Sequence, residues 1–335
     1  MKTTAVEQMR RRATAAVRAR LYATSRTRLL LGKIRPRALV LVYHRIGEPP
    51  FDPFGQAVTS HNFGRHLAVL QANYRVEPVL DLLNALREGA IEDGTVAVTF
   101  DDGYADVLQN AAPVAAENGV PLHLFVAVQS VVDGTRFWWD RLAAALLGGD
   151  ASEQKLHVGD LRLQLHDGSR RTAAYRAAHA HLKPLLSKER ERQLSSIFDQ
   201  VPERDDIDLG RPLAPGELST FVSMPGMEVG AHTVSHPALG ALTDDEQRRE
   251  LAESRSTLQQ LTGRNADMVA YPFGKATDIN AETPRIAADA GYVAGFTTIA
   301  ELVTNSADPF LLPRLTVHDC PEEVFRARLK AIFGF

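Results

Sequence analysis

The run Thr95-Val96-Ala97-Val98-Thr99-Phe100-Asp101-Asp102-Gly103-Tyr104 decides how this chain is read. Valine, threonine and phenylalanine favour a pleated, buried backbone, so the first six residues read as a strand. The strand ends abruptly in two adjacent carboxylates. Gly103 permits a turn that leaves Asp101 and Asp102 outside the sheet edge, where a ligand can reach them. Asp-Asp-Gly is also an ordinary turn sequence, so the run alone allows a plain turn as readily as a site.

A second strand-like segment, Met227-Glu228-Val229-Gly230-Ala231, runs into His232-Thr233-Val234-Ser235-His236-Pro237. If one helical turn follows that strand, the two imidazoles share a face. With 11 histidines in 335 residues the spacing alone is weak, and a helix cap carrying two surface histidines is the plain alternative. The context is stronger. Two imidazoles and one carboxylate make a three-ligand set that leaves a position open for water on zinc or a similar divalent ion, as catalytic sites do.

Further along come Met268-Val269-Ala270-Tyr271-Pro272-Phe273-Gly274 and Leu312-Pro313-Arg314-Leu315-Thr316-Val317-His318-Asp319. With these the chain resembles the polysaccharide deacetylases of carbohydrate esterase family 4, which carry a NodB homology domain. Their first motif, Thr-Phe-Asp-Asp-Gly, matches Thr99 to Gly103, and their second, His-(Ser/Thr)-x-x-His, matches His232 to His236. Leu41-Val42-Tyr43-His44-Arg45, Phe137-Trp138-Trp139-Asp140 and Tyr271-Pro272-Phe273-Gly274 extend the resemblance over roughly residues 38 to 320.

The resemblance implies that Asp101 is the general base and that Asp102, His232 and His236 hold a divalent metal, zinc or else cobalt or a similar ion. It also implies that the backbone N–H of Phe273, in a segment with Tyr271 and Pro272, steadies the oxyanion, and that the substrate is an acetylated glycan. Two features depart from the family pattern. Ala270 stands where the family carries an arginine, and no Asp-Trp motif is found near Gly295-Phe296-Thr297-Thr298. Arg314, a bidentate donor suited to a carboxylate, is expected to orient Asp101 instead; a surface arginine at a strand end is the alternative. His318, in Leu-x-x-His, is expected to be the general acid, with His44 lining the site as its rival. A buried, hydrogen-bonded histidine is the plain reading of either.

Composition fits a large α/β fold: 44% of the 335 residues are hydrophobic, enough for one domain with an insertion. The single cysteine, Cys320, excludes an internal disulfide and a cysteine-based zinc site, so ligands must be histidine and carboxylate. Charge is uneven. Residues 1–37 hold 11 Lys or Arg against Glu7, a net +10, and the remaining 27 bases and 40 acids give −13. An acidic main domain argues against a nucleic-acid partner. The basic head lacks the apolar core of a secretory signal, and nothing elsewhere approaches the roughly 18 apolar residues of a membrane span. The expected location is therefore cytoplasmic, with residues 13–23 forming a basic helix on the anionic inner membrane face, a helix packed on the domain, or a tail. Oligomeric state is not legible.

Strand and helix signals alternate as in a parallel α/β architecture. Strands are expected at 38–43, 95–100, 122–128, 267–271 and 293–297, and helices at 62–72, 80–88, 105–118, 244–262, 284–290 and 322–332. Motifs fall at the carboxyl ends of strands in four places. A parallel barrel brings such ends to one mouth, whereas an open doubly wound sheet gathers only those near its switch point. The distorted (β/α)7 barrel that the resemblance implies meets this geometry. Residues 140–217 are expected to be a mainly helical insertion: a hairpin around Gly159-Asp160, then two helices within 170–200, acting as a substrate wall or as inert decoration. Trp138 and Trp139 open it, and such rings either stack on sugars or fill a core.

The implied activity is hydrolysis of acetyl groups, N-acetyl of amino sugars or O-acetyl, on an oligosaccharide, polysaccharide or lipid-linked glycan. A related amide hydrolase of the same barrel, a deformylase or cyclic-amide hydrolase, and a non-catalytic carbohydrate-binding relative are the alternatives. The intact Asp101, Asp102, His232 and His236 set argues against the last.

Overall fold

The computed structural model describes residues 36–149 and 155–334. The basic head expected to be a helix or tail lies, apart from Pro36 and Arg37, outside the described residues.

A nine-stranded sheet organises the fold. Its strands are β1 (Arg37–Tyr43), β2 (Arg75–Val76), β3 (Thr95–Phe100) and β4 (Leu122–Val126), then, past a separate hairpin of β5 (Lys155–Val158) and β6 (Leu161–Gln164), β7 (Met227–Ala231), β8 (Met268–Ala270), β9 (Ala294–Phe296), β10 (Val303–Thr304) and β11 (Leu315–Thr316). The order is β9-β8-β7-β4-β3-β1-β10, with β11 beside β1 and β2 beside β3. Every pairing is parallel except β1 with β10. A parallel bridge between Phe296 and Leu312 ties the segment leading into β11 back to β9. Seven parallel strands, β9-β8-β7-β4-β3-β1-β11, thus follow one another around a curled sheet with the short β2 beside β3 as an eighth, the distorted (β/α)7 barrel expected above. Every residue of β3 and β4 is buried, as in parallel strands covered on both faces.

The helices read from the sequence are present with small shifts at their ends. Together with three that were not read from the sequence, the helices are α1 (Ser60–Asn73), α2 (Val79–Glu88), α3 (Ala112–Glu117), α4 (Val128–Asp133), α5 (Trp138–Leu147), α6 (Gly168–Leu182), α7 (Ser187–Phe198), α8 (Pro215–Ser223), α9 (Asp244–Thr262), α10 (Thr283–Asp289) and α11 (Glu322–Phe333); the three are α4, α5 and α8. The start of α9 is fixed by a reciprocal cap: Glu246 accepts from the Thr243 N–H at 2.8 Å, and Thr243 Oγ1 accepts from the Glu246 N–H. Its end falls where Gly263 turns left-handed. Two expectations shift. The helix read over 105–118 begins as a π-helical turn, Val107–Ala111, before α3, and the strand read as far as Val128 stops at Val126 because Val128 starts α4.

The hairpin β5–β6 and helices α5, α6 and α7 enclose a second apolar core built on Trp138, Leu142, Leu156, Tyr175, Leu182 and Leu194. Phe273, from the end of β8, packs against its edge. This core therefore lies beside the strand ends that carry the motifs.

Candidate active site

Asp101 and Asp102 leave the carboxyl end of β3. The Asp101 N–H donates to the Tyr43 carbonyl at 3.0 Å, continuing the sheet one residue further. Asp102 then turns left-handed (φ 73°) and Gly103 follows at φ 97°. A Cβ on Gly103 would stand 3.2 Å from Val126 Cγ1, a tight contact with β4 added to the strain of the positive φ. The second motif leaves β7, with the His232 N–H bound to the Val126 carbonyl at 2.8 Å.

One sequence expectation is corrected here. The two histidines do not share a helical turn: residues 232–237 form an irregular loop in which Thr233 (φ 68°) and His236 (φ 56°) are left-handed. Glu250 of α9 holds this loop, accepting from the Val234 and Ser235 N–H groups at 2.8 and 2.9 Å and from the Ser235 hydroxyl at 2.6 Å. A helical turn would have brought the imidazoles onto one face; the clamped loop turns both toward one carboxylate instead. Among the described residues, the only non-glycine residues with positive φ are Asp102, Thr233, His236 and Phe273. All four belong to the motifs, as expected where strain is concentrated at a site.

His232 Nε2 lies 3.6 Å and His236 Nε2 3.3 Å from the same Asp102 oxygen. Ligand atoms bound about 2.1 Å from one tetrahedral ion stand about 3.4 Å apart, so these spacings suit a shared metal. All three residues are buried, and among the described residues they form the one group able to hold an ion. The His232 Nδ1–H donates to the Ala270 carbonyl at 2.8 Å, which turns the Nε2 lone pair toward Asp102. Burial lowers the His232 pKa to about 4 against the opposing pull of Asp101. The ring is therefore neutral at pH 7, and its contacts with the carboxylates are those of a ligand rather than of an ion pair. Burial pushes the Asp102 carboxyl up, but the hydrogen bond and charge of His236, with His44 and His232, hold it well below the usual range. The donor set is two imidazole nitrogens and one carboxylate oxygen.

Asp101 is gripped on both oxygens by Arg314, at 2.7 and 2.7 Å. Arg314 is wholly buried and spends its other donors on Thr99 Oγ1 (3.1 Å) and the Thr297 carbonyl (3.0 Å). Burial raises the Asp101 pKa, but Arg314, then His232 and His44, outweigh it and hold the carboxyl below its ordinary value. Asp101 is thus ionised and fixed in direction, with Oδ2 3.9 Å from His232 Nε2.

The two candidate acids separate. His44 is buried, it lies close enough to act electrostatically on both carboxylates, and its Nδ1 has no partner among the described residues. His318 is exposed and donates from Nδ1 to the Gly55 carbonyl at 2.6 Å. The structure brings His44 to the carboxylates and leaves His318, the residue favoured from sequence, outside. His318 falls two residues beyond the end of β11, on a turn that has already left the mouth.

Phe273 is left-handed (φ 60°), its carbonyl accepts from the Thr298 hydroxyl at 2.6 Å, and its ring meets His236 edge-on at 4.7 Å. Gly274 follows at φ 64°, where a Cβ would stand 2.6 Å from the Thr298 nitrogen. Tyr271 is not at the surface of the site. It is fully buried and its hydroxyl donates to the Phe310 carbonyl at 3.0 Å, so it serves the barrel wall. Pro272 is buried beside it and accepts from Gly274 at 2.7 Å.

Trp139 stacks on Phe137 at 4.7 Å and lies against His236 at 4.6 Å. Its Nε1–H donates to the Tyr104 hydroxyl (2.7 Å), which donates to Asp140 (2.7 Å). Trp138 stacks on His179 of α6 at 4.8 Å. Sequence reasoning missed Glu250, Tyr104, Asp140 and His179. Glu250 and His179 are single polar residues on long helices with no local signal, although Tyr104 and Asp140 stood in the quoted runs.

Residues 177–295 match the family model for polysaccharide deacetylases. YxkH of Bacillus subtilis (strain 168), which carries a polysaccharide deacetylase name, is 28% identical over 92 residues, 28% of this chain; the match spans about a third, 32%, of that relative's length. Among solved structures, the Streptococcus pyogenes deacetylase PplD in complex with acetate has a TM-score of 0.57 at 17% identity, covering 89% of this chain and 99% of the other. IcaB from Ammonifex degensii has a TM-score of 0.58 at 18% identity, covering 90% and 98%. These two likenesses establish the fold, and with the family match they bear out the resemblance drawn from the motifs.

Proposed function

We propose, from this kinship with the polysaccharide deacetylases, that the chain is a metal-dependent hydrolase that removes acetyl groups, N-acetyl of amino sugars first, from a glycan. The observation that carries this reading is the buried trio Asp102, His232 and His236 standing beside an ionised, arginine-held Asp101. When bound, a zinc or similar ion supplies polarisation of the acetyl carbonyl and a lowered pKa for water. The chain's own residues divide the remaining work.

Asp101 accepts the proton of the attacking water, its lone pairs aimed by the two Arg314 bonds. The Phe273 N–H donates to the oxygen on which negative charge develops; its left-handed backbone fixes where that donor points. His44 delivers a proton to the departing amine, since it is the buried histidine beside both carboxylates whose ring is not part of the metal trio. The aromatic floor of Trp139 and Phe137 supports His236 and offers a face for a sugar ring. The hairpin and helices of 155–200 act as a wall of the same site, because the Phe273 ring meets His179 of α6 edge-on at 5.9 Å.

The test is acetate release from a panel of N- and O-acetylated oligosaccharides, before and after chelation. Release that chelator abolishes and zinc or cobalt restores is the expected result. Tight, stoichiometric metal binding with no hydrolysis of any acetylated sugar would leave the non-catalytic alternative standing.

A further inference from the structure

Next to His236, the starts of α5 and α7 and the loop after α4 leave a cavity of about 250 Å³ whose lining includes Arg136, Trp138, Trp139 and Arg190 together with the carboxylates Asp133 and Glu191. Three of these residues bury a donor that has no acceptor: Trp138 Nε1, Arg190 Nε and Arg136 Nη1. Trp138 is 5% exposed and Arg190 2%. Arg190 gives its other bonds to backbone carbonyls, Ser235 at 2.5 Å and Leu185 at 3.3 Å, and lies over the Trp138 ring at 5.1 Å. The neighbouring cation Arg141 is already held by Glu191 and Glu203, at 2.7 and 3.1 Å.

Buried polar groups are ordinarily hydrogen-bonded and buried charges ordinarily paired. A guanidinium that is neither ion-paired nor fully bonded, beside a second arginine and an indole N–H with free donors, marks a place that an anion would complete. Burial lowers the Arg190 pKa to about 10, so the group is still charged at neutral pH. The cavity is slightly below the ~300 Å³ floor of ordinary ligand pockets, which suits one substituted sugar unit rather than a chain.

We propose that this cavity is a subsite for an anionic substituent, carboxylate or phosphate, on the sugar next to the one deacetylated, so that the substrate is an acidic glycan. Identifying its occupant as part of the substrate rests on the deacetylase reading; anion binding itself does not. Arg190 and Arg136 hold the substituent, Trp138 adds an N–H donor, and Trp139 spans from the cavity to the metal trio. Anchoring the neighbour here sets which acetyl group faces Asp101.

Both tryptophans of the chain, 2 in all, line the cavity, so intrinsic tryptophan emission reports on it, and the arginine variants separate this cavity from the catalytic mouth that Trp139 also touches. The full chain is titrated with glucuronate, glucose 6-phosphate and glucose as wild type, Arg190→Gln and Arg136→Gln. The expected result is a saturable change with an anionic sugar, none with glucose at the same concentration, and an affinity about tenfold weaker in the variants. A glucuronate response assigns a carboxylate and a glucose 6-phosphate response a phosphate. Should Arg190→Gln fail to fold, Arg136→Gln, nearer the surface, carries the comparison. Equal titration by glucose, no change with either anion, or unaltered affinity in the folded variants overturns the subsite. Acetate release is measured in parallel: loss of the anion response alone removes the subsite, and absence of hydrolysis with an intact anion response removes only the deacetylase reading.

Discussion

Replacing Arg314 by methionine leaves the Asp101 carboxylate buried with two hydrogen bonds of 2.7 Å removed and no other cation of its strength within reach. Removing one partner of a buried ion pair costs about 3–5 kcal/mol of stability, because the surviving charge is left uncompensated. The same loss lifts the carboxyl pKa: an adjacent arginine lowers an aspartate by about 1–3 units, and its removal returns that much upward while burial continues to push in the same direction. A base held below its ordinary pKa of 3.8 then protonates at higher pH, so the acid limb of kcat/KM moves toward neutrality. Arg314→Lys is the sharper experiment because it keeps the charge. A lysine ammonium cannot span both Asp101 oxygens and also reach Thr297, so about one charge-assisted bond, worth ~1.5–3 kcal/mol, is lost. At 1.36 kcal/mol per decade this is a fall of about 10- to 100-fold in kcat/KM. The assay is acetate release between pH 4 and 9, with urea unfolding in parallel to separate activity from folding. An Arg314→Lys enzyme with wild-type kcat/KM and an unmoved acid limb would refute the assignment of Arg314 as the group that orients Asp101.

Two further outcomes follow from the same geometry. His44→Gln should lower kcat/KM by about 10²–10⁴ and remove the alkaline limb of the pH profile, while His318→Gln should stay within about twofold; the opposite pattern would restore the order read from sequence. Asp140 gives a pH effect on stability. Burial, against the pull of Arg45 and the Tyr104 hydrogen bond, raises its pKa from 3.8 to about 7, so the native state keeps a proton that the unfolded chain releases. Stability therefore falls as pH rises from about 4 to 7, by at most about 4 kcal/mol at 1.36 kcal/mol per unit. Asp140→Asn still accepts the Tyr104 bond and should flatten that slope, read as urea midpoints at pH 5 and 8. Equal slopes in the two proteins would assign the effect to another group.

The fold and the carboxylate–histidine cluster were largely legible because their signals are local. Six consecutive buried residues in β3 stop at Asp101, and the period of α9 is bracketed by Thr243 and Gly263, so chemistry and boundary coincide in the text. Backbone conformation was not legible. A spacing of four suggests a helical turn, yet His232 and His236 meet Asp102 from a loop with two left-handed residues, stabilised by Glu250 from a helix 14 or more positions further on. Nothing near His236 announces that clamp. His318 stands apart from the carboxylates for a related reason: Leu-x-x-His places a histidine near a strand end in sequence, but β11 is only two residues long and His318 lies past it, on the surface.

Arg314 shows why a missing motif residue need not disable such a site. The strand ending at Ala270, where the family arginine would stand, lies beyond β7 and β4 from β3. Arg314 approaches from the other side, because β11 pairs with β1 and β1 pairs with β3. In an open sheet those two approaches would diverge. Here the bridge between Phe296 and Leu312 joins β9 to the segment that carries Arg314, so both routes end at one mouth. The guanidinium lies over Phe125 and Phe296, which come from strands on either side of the ring. What Asp101 requires is a buried guanidinium at the centre of the mouth, and closure of the barrel lets strand ends distant in sequence supply it.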